Sequence, residues 1–297
     1  MHLRDYQRKA MTTRQDSPEG ADAAAGHLLS MVAQIGDLSR QYQRTQRDGD
    51  HQRWGKLRVR EELGDVLWHL TAFADGLGLD LEDVAVANLT KTADRWIPSA
   101  EWHVFDAGFP AGERLPSSIA YEFRTYRKPD GVLATEVSCG SLQVGATLTD
   151  ASRNTDSYRL HDVFHLSYAS LLGWSPVTRA LLGRKRRSDP AIDENEDGGR
   201  AIAIEEGLAA SIFAYAATRD YLSDAARVDG DVLASIATST AQLEVGARTA
   251  ADWEHAVLEG FRMWKHLDDH GGNGIVRADL TARTMKFEPT AVEAGSD

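Results

Sequence analysis

The sequence is short of several residue types on which whole classes of protein depend. Cys139 is its only cysteine, so an intrachain disulfide and a cysteine-built zinc cluster are both excluded. No apolar run approaches the roughly 18 residues that a membrane-spanning helix needs. This composition predicts a cytoplasmic protein without a membrane partner. Any metal that it binds must be held by oxygen or imidazole ligands.

Positive charge is also in deficit. The 297 residues include 33 lysines and arginines against 45 aspartates and glutamates, which gives a formal net charge of -12. Such an acidic chain is not expected to take duplex nucleic acid or an anionic membrane as its main partner. A small anion bound at one local basic site is still compatible with this charge. The length allows about two domains, each with a hydrophobic core of its own.

Apolar residues at helical spacing dominate the N-terminal third of the chain. In one segment Val59, Leu63, Val66 and Leu70 follow a helical period, which is typical of an amphipathic helix. Four such helices are predicted, over residues 3–12, 22–44, 53–77 and 81–95. We expect them to form an antiparallel helical bundle.

A different pattern follows, in which prolines interrupt the helical period. Tyr121–Tyr126 alternates, Lys128–Gly131 is typical of a turn, and Val132–Cys139 can return as a second strand, so a β-hairpin is predicted. Helical periodicity then resumes. The predicted fold class is mainly α, an all-α bundle followed by the hairpin and a second, mostly helical domain. The predicted boundaries are 1–97 for the bundle, 98–118 for a linker, 119–289 for the second domain and 290–297 for a loose tail.

Polar pairs with the same spacing lie on the second and third predicted helices. Gln34 and Asp37 are three residues apart, as are Glu62 and Asp65. Residues at this spacing share a helix face, so antiparallel packing of the two helices would bring all four into one oxygen-lined pocket. Oxygen ligands suit Mg²⁺ or Mn²⁺, and magnesium held by a few carboxylates is a common partner of triphosphates. The alternative is a solvated acidic helix face without a ligand.

The segments around these pairs resemble a known family. The order and spacing of His27–Asp37, Glu61–Leu70, Gly78–Asp83 and Asn88–Arg95 resemble those of the MazG-like nucleotide pyrophosphohydrolases. The resemblance implies an all-α domain that dimerises to complete its bundle. Because four short, apolar helices cannot cover one another, we expect a dimer or a dimer of dimers. The resemblance also implies Mg²⁺ bound by a Glu-x-x-Glu and a Glu-x-x-Asp pair. The implied reaction is hydrolysis of a nucleoside triphosphate to a monophosphate and pyrophosphate.

Most of the family's site residues have a counterpart here. Glu62 and Asp65 match the second metal-binding pair, and Asp37 is a shortened version of the last glutamate of the first pair. The family's phosphate-facing residues match Asn88, Lys91 and Arg95. The spacing of these three residues independently places them on one helix face.

Gln34 departs from the family pattern, which has glutamate at this position. An amide oxygen can coordinate a hard cation but brings no negative charge, so the site has three carboxylates instead of four. Weaker metal binding is expected, and this leaves an alternative open. The first domain would then be a catalytically weakened module that binds or senses a nucleotide, while the second domain carries a separate metal-dependent hydrolase or partner-binding role.

The second domain has its own group of candidate residues. His161 and His165 are four residues apart on a predicted helix, and Asp162 is beside His161. At this spacing two imidazoles can coordinate the same metal ion. The other members of this second-site candidate group are Lys185, Glu205 and Glu206. A lysine near such a cluster favours an anionic ligand.

Three interpretations of this group are open. The pattern imitates the His-Glu-x-x-His arrangement of zinc peptidases, with an aspartate shorter than the required general base. It also invites comparison with the all-helical His-Asp phosphohydrolases. The third interpretation is a structural junction in which both histidines donate to Glu205 or Glu206, and the basic run Arg184–Arg187 is a solvated loop. The stretches around these residues resemble the C-terminal domain that accompanies some MazG-like domains.

Overall fold

The computed structural model of the protein describes residues 1–15, 21–48, 56–99, 102–153 and 155–290. The chain divides into two compact units, Met1–Ala93 and Asp94–Asp297, which are called unit 1 and unit 2 below. Except for residue 290, the predicted loose tail lies outside the described residues. In the described part of the chain, no helix combines the length and the apolar character that a bilayer crossing requires.

Unit 1 is helical, as the apolar spacing predicts. Its described helices are α1 (Leu3–Met11), α2 (Ala21–Asp48), α3 (Lys56–Gly76) and α4 (Leu81–Trp96), the last of which runs on into unit 2. Helix α3 is central, since both α1 and α2 pack against it. Helix α2 continues past its predicted end because the polar residues that follow Arg44 are compatible with a solvated final turn.

The turn between α3 and α4 is built from local signals. Gly78 has a φ of 69°, a left-handed conformation that glycine adopts without steric cost. The Asp80 carboxylate then accepts a hydrogen bond of 2.8 Å from the backbone N–H of Glu82, which caps α4. Gln7 of α1 secures the turn from the side, because its amide bonds to Leu79 O at 3.0 Å and to the N–H of Leu81 at 2.8 Å.

Unit 2 combines helices with a sheet. Its described helices are α5 (Asp162–Leu172), α6 (Pro176–Leu181), α7 (Pro190–Asn195), α8 (Gly199–Ala217), α9 (Gly230–Thr240) and α10 (Ala250–Asp269). Its described strands are β1 (Ser118–Arg127), β2 (Leu133–Cys139), β3 (Leu142–Leu148), β4 (Gly274–Asp279) and β5 (Thr284–Glu288). They form one antiparallel sheet in the order β3-β2-β1-β4-β5.

The predicted hairpin is confirmed, but it is only part of the sheet. Strands β1 and β2 pair in a register that sets Arg127 opposite Leu133. The prediction missed β3, β4 and β5. Strand β3 contains Gly145, which has a positive φ, and its pairing with β2 is irregular. Strands β4 and β5 are short and follow the last helix, and β4 joins the sheet by pairing with β1, which is distant in sequence.

Helix α5 lies at the centre of unit 2, and each of its residues is buried. It packs closely on α10, where a side chain at Gly260 would come within 3.2 Å of Phe164 and 3.3 Å of Ser167. The Ser167 hydroxyl donates to Ala256 O at 2.6 Å. Helices α6 and α8 also contact α5. This packing fixes the start of α5 beside the middle of α8.

The segment predicted as a linker contributes to unit 2. Asp106 is buried and accepts hydrogen bonds from Arg179 Nη2 at 2.7 Å and from the N–H of Leu115 at 2.8 Å. The Phe109 ring lies 5.5 Å from the guanidinium carbon of Arg186, which packs over it. These contacts hold residues 102–118 against unit 2.

Candidate functional site

Helices α2 and α3 run antiparallel, as the predicted pocket requires. Gln41 Nε2 of α2 donates to Glu62 Oε1 of α3 at 3.3 Å. Nearer the start of α2, His27 Nδ1 lies 3.2 Å from Nδ1 of His69 near the end of α3. Asp65 lies between Glu62 and His69 along α3, so it is on the part of α3 that runs beside α2.

The other predicted ligands, Gln34 and Asp37, lie between His27 and Gln41 along α2. The antiparallel pairing therefore sets the two predicted pairs at corresponding positions along α2 and α3. Gln34 and Asp37 are half-buried, a position that a solvated ligand can reach.

The α3 carboxylates are also accessible, and arginines lie near the site. Glu62 is half-buried and Asp65 is exposed. Asp37 pairs with Arg40 one turn along α2, and Glu62 Oε1 lies 3.9 Å from Arg58 Nε. Exposed ion pairs of this kind contribute less than about 1 kcal/mol, so a divalent cation can compete with them.

The predicted phosphate-facing residues differ in their surroundings. Asn88 and Lys91 are exposed on α4, which suits contact with a solvated triphosphate. Arg95 is engaged within unit 2, because it donates to Glu254 Oε2 at 3.0 Å and to Val228 O at 2.7 Å. The structure thus leaves two of the three side chains exposed.

A polar and aromatic cleft lies one turn of α3 beyond Asp65. Sequence reasoning missed it because its histidines come from different helices and form no motif. Burial lowers the pKa of His69, and the neighbouring His27 lowers it further. The cleft has a volume of about 530 Å³ and is lined by Thr13, Gln15, Gly26, His27, Ser30, Trp68 and His69.

In unit 2 the structure brings most of the second-site candidates together. His161 immediately precedes α5 and His165 lies in its first turn, while Glu205 and Glu206 lie on α8. Glu206 Oε2 lies 3.5 Å from His165 Nε2 and 3.9 Å from His161 Nε2. Asp162 Oδ1 is 3.7 Å from His161 Nε2. His165 and Glu205 are fully buried, whereas the Glu206 side chain is 45% exposed.

Hydrogen bonds orient both imidazoles. His161 Nδ1 lies 3.0 Å from the backbone carbonyl of Tyr158, and His165 Nδ1 lies 2.9 Å from Glu205 Oε1. Both partners only accept hydrogen bonds, so each Nδ1 carries the donated proton. The two Nε2 atoms consequently face Glu206.

Glu205 is itself held in place, because it accepts from the Ser175 hydroxyl at 2.7 Å and the N–H of Val177 at 2.8 Å. Both donors lie at the start of α6, so three elements of unit 2 define the orientation of His165. This hydrogen bonding leaves Glu205 little freedom to turn toward any other partner.

Burial and neighbouring charges shift the pKa values in this cluster. Burial lowers the pKa of His161 and raises that of Asp162. Burial would also lower the pKa of His165, but the Glu205 carboxylate outweighs it and raises this pKa to about 10. His165 in turn lowers the pKa of Glu206. His165 thus lies between two carboxylates that both favour its protonated form.

Lys185 and the basic run lie in a different environment. Among the described residues, the Lys185 side chain has no hydrogen bond or ion pair with the histidine cluster. The prediction of a solvated basic loop is wrong for Arg186, which is fully buried and pairs with Asp197 and Glu244, each at 2.7 Å. Buried guanidinium groups need such partners, so this residue has a structural role.

Two family models match the chain. The MazG nucleotide pyrophosphohydrolase domain matches residues 35–96, and the MazG C-terminal domain matches residues 100–291. The second match alone covers more than half of the chain, so the protein belongs to the MazG family and the predicted resemblance is confirmed. The first match begins directly after Gln34, at Ile35. No curated protein and no solved structure matches the chain.

Proposed function

We propose that the protein hydrolyses a nucleoside triphosphate to a monophosphate and pyrophosphate at the facing carboxylates of α2 and α3. The observation that carries this proposal is the antiparallel contact between Gln41 and Glu62, which supports a shared location of the predicted carboxylates on α2 and α3. That contact lies in the segment matched by the nucleotide pyrophosphohydrolase domain. The nucleotide triphosphate is accordingly the proposed substrate.

The donor set fits a hard divalent cation. Asp37, Glu62 and Asp65, assisted by the amide oxygen of Gln34, would hold Mg²⁺, with Mn²⁺ as the possible substitute, since all four side chains offer oxygen. When bound, the cation would polarise the phosphoryl group and acidify the attacking water. The protein contributes by holding these ligand oxygens on two packed helices, α2 and α3.

In this proposal, residues of α4 neutralise the negative charge of the triphosphate. Lys91 is exposed and supplies a positive charge, while the neighbouring Asn88 offers an amide donor on the same helix face. Arg95 completes the predicted set, but it contributes only when its ion pair with Glu254 opens. The leaving pyrophosphate is therefore stabilised chiefly by Lys91 in this proposal.

Self-association is the second element of the proposal. Large apolar side chains of unit 1 are exposed, including Leu29 at 70% and Leu89 at 68%. Large apolar side chains that stay exposed in this way favour an interaction with another surface. We therefore propose a dimer or a dimer of dimers that covers these side chains with a second copy of the chain.

The test is a panel of nucleoside triphosphates with Mg²⁺, in which pyrophosphate and monophosphate are measured separately. Glu62→Gln is expected to abolish most of the turnover because it removes one ligand charge. Glu61→Gln is the matched control, since this exposed neighbour lies about 100° further round the helix. Equal activity of both variants would place the metal site elsewhere.

Gln34 favours a second candidate function. With one carboxylate fewer than the family pattern, unit 1 would bind a nucleotide without efficient turnover. Equilibrium binding of a nonhydrolysable triphosphate analogue, measured beside the hydrolysis panel, separates the two functions. Tight binding without pyrophosphate release would favour the sensing module.

A further inference from the structure

The histidine cluster of unit 2 has the arrangement of ligands around a single cation. One ligand atom from each of His161, His165 and Glu206 lies within 4.8 Å of the other two. A tetrahedral cation with bonds of about 2.0–2.2 Å holds its ligand atoms about 3.3–3.6 Å apart. The observed separations of 3.5 Å and 3.9 Å from Glu206 Oε2 to the two imidazoles need only small side-chain adjustments.

The hydrogen bonds behind the cluster are those that accompany metal-bound histidines. Such a histidine donates its second ring N–H to a carboxylate or a backbone carbonyl, which fixes the ring and its tautomer. His165 donates to Glu205 and His161 donates to the carbonyl of Tyr158. Tyr158 also stacks on the His161 ring at a centroid distance of 4.6 Å. Both rings are therefore oriented before any cation binds.

One atom of the cluster gives independent support. His165 Nε2 is fully buried and makes no hydrogen bond among the described residues, since its ion-pair partner Glu206 Oε2 lies 3.5 Å away. A buried polar atom without a partner costs about 1–3 kcal/mol. A junction that served only to pair the two histidines would satisfy both nitrogens of His165, whereas here Nε2 faces the gap toward Glu206.

We propose that His161, His165 and Glu206 bind a transition-metal dication of the Zn²⁺ class, at a site separate from the carboxylates of unit 1. Two imidazole nitrogens and one carboxylate oxygen suit Zn²⁺ better than Mg²⁺, which prefers oxygen ligands alone. Glu205 is a positioning residue that acts through His165. Asp162 lies beside the ligands as a further buried carboxylate.

The proposed site has an open side. Three protein ligands leave one tetrahedral position for water or an anionic ligand, as in catalytic zinc sites. The exposed portion of Glu206 marks the side from which a cation and its fourth ligand can enter. Binding of this cation does not depend on nucleotide hydrolysis by unit 1.

The first experiment measures Zn²⁺ bound to the full chain by equilibrium dialysis, with excess Mg²⁺ present to occupy oxygen-only sites. Wild-type protein is expected to bind Zn²⁺, and Glu206→Gln and His161→Gln are expected to weaken it by at least about tenfold. His255→Ala is the matched control because this exposed histidine lies on α10. No Zn²⁺ on the wild type, or equal affinity in all four proteins, would overturn the proposal.

A second measurement separates ligation from folding. Co²⁺ replaces Zn²⁺ with similar geometry and shows visible absorption bands that report its ligands. Glu205→Gln, which keeps the shape of the side chain, is expected to weaken Co²⁺ binding by about 10–100-fold while retaining the bands of the wild type. Glu206→Gln is expected to alter the bands at saturating Co²⁺. Identical spectra and affinities for wild type and both variants would show that the cluster is only structural.

Discussion

The two units of the chain bury their apolar side chains to different degrees. In unit 2, Trp174, Trp264 and Leu166 are almost completely removed from solvent. In unit 1, the described buried apolar residues are mostly alanines such as Ala72, while larger side chains such as Leu89 remain exposed. Unit 2 thus completes its own core, and the apolar stripes of unit 1 are left for another surface to cover.

The candidate sites differ in the same way. The carboxylates of unit 1 lie on partly exposed helix faces, where Asp37 still has Arg40 as its partner. The cluster of unit 2 is built on buried elements, and Glu205 fixes the orientation of His165. The side chains of the unit 2 cluster are therefore held in place by burial, whereas those of the unit 1 site are not. We expect substitutions in unit 2 to act first on folding, and substitutions in unit 1 to act first on association and ligand binding.

The largest expected effect tests the packed core of unit 2. Trp264→Ala removes a side chain that is 2% exposed and a hydrogen bond of 3.1 Å from its Nε1 to Ser157 O. Loss of a large core side chain costs about 3–5 kcal/mol of unfolding free energy. Denaturant unfolding followed by circular dichroism measures it. Lys265→Ala, the next residue on α10, is expected to leave the midpoint nearly unchanged, and equal midpoints would contradict the assigned core.

The second effect concerns the exposed stripe of unit 1. Leu89→Glu is expected to weaken self-association, since burial of one leucine contributes about 1.5–3 kcal/mol, or tenfold and more in the dissociation constant. Light scattering over a concentration series measures the change. Thr90→Glu adds the same charge to the neighbouring exposed position and is the control. A wild-type chain that is a compact monomer at micromolar concentration would refute the proposed assembly.

The third effect is at the proposed metal site of unit 1. Gln34→Glu adds one negative charge beside a dication and is expected to tighten Mg²⁺ binding about tenfold and to raise turnover. Isothermal titration and pyrophosphate release measure the two quantities. Gln43→Glu adds the same charge at an exposed position on the same helix. This control tests whether added negative charge anywhere on α2 is enough to tighten Mg²⁺ binding. The assigned ligands would be wrong if Gln34→Glu changed neither quantity and Glu62→Ala had no effect.

The sequence predicted those parts of the molecule that depend on neighbouring residues. The helices of unit 1 and the β1–β2 hairpin follow from local periodicity and a tight turn. Strand β4 was missed because its partner Ser118 lies far away in sequence, opposite Asp279. Such a pairing leaves no signal in a short window.

The sites follow the same rule. The spacing of His161 and His165 is visible in the sequence, but the roles of Glu205 and Glu206 are not. These roles differ because one carboxylate binds Nδ1 of His165 and the other faces its Nε2, a distinction set by the packing of α8 on α5. The cleft near His27 and His69 likewise exists only once α2 and α3 have packed. The metal ligands of unit 1 remain a prediction.

The smallest effect we predict is a dependence of unit 2 stability on pH. Burial would raise the pKa of Glu254, but hydrogen bonds from the N–H of Val228 and from Arg227 and Arg95 outweigh it and lower this pKa below its ordinary 4.5. A carboxylate whose pKa is lower in the folded state stabilises the fold above its unfolded pKa. That contribution is lost as the pH falls through the lower, folded value. The unfolding free energy should therefore decline on acidification below about pH 4.5, and Glu254→Gln should flatten this decline in a series of urea titrations.

Asp231→Asn, at an exposed position on α9, is the control for this measurement. If the unfolding free energy of Glu254→Gln falls with pH as steeply as that of the wild type, other carboxylates cause the loss.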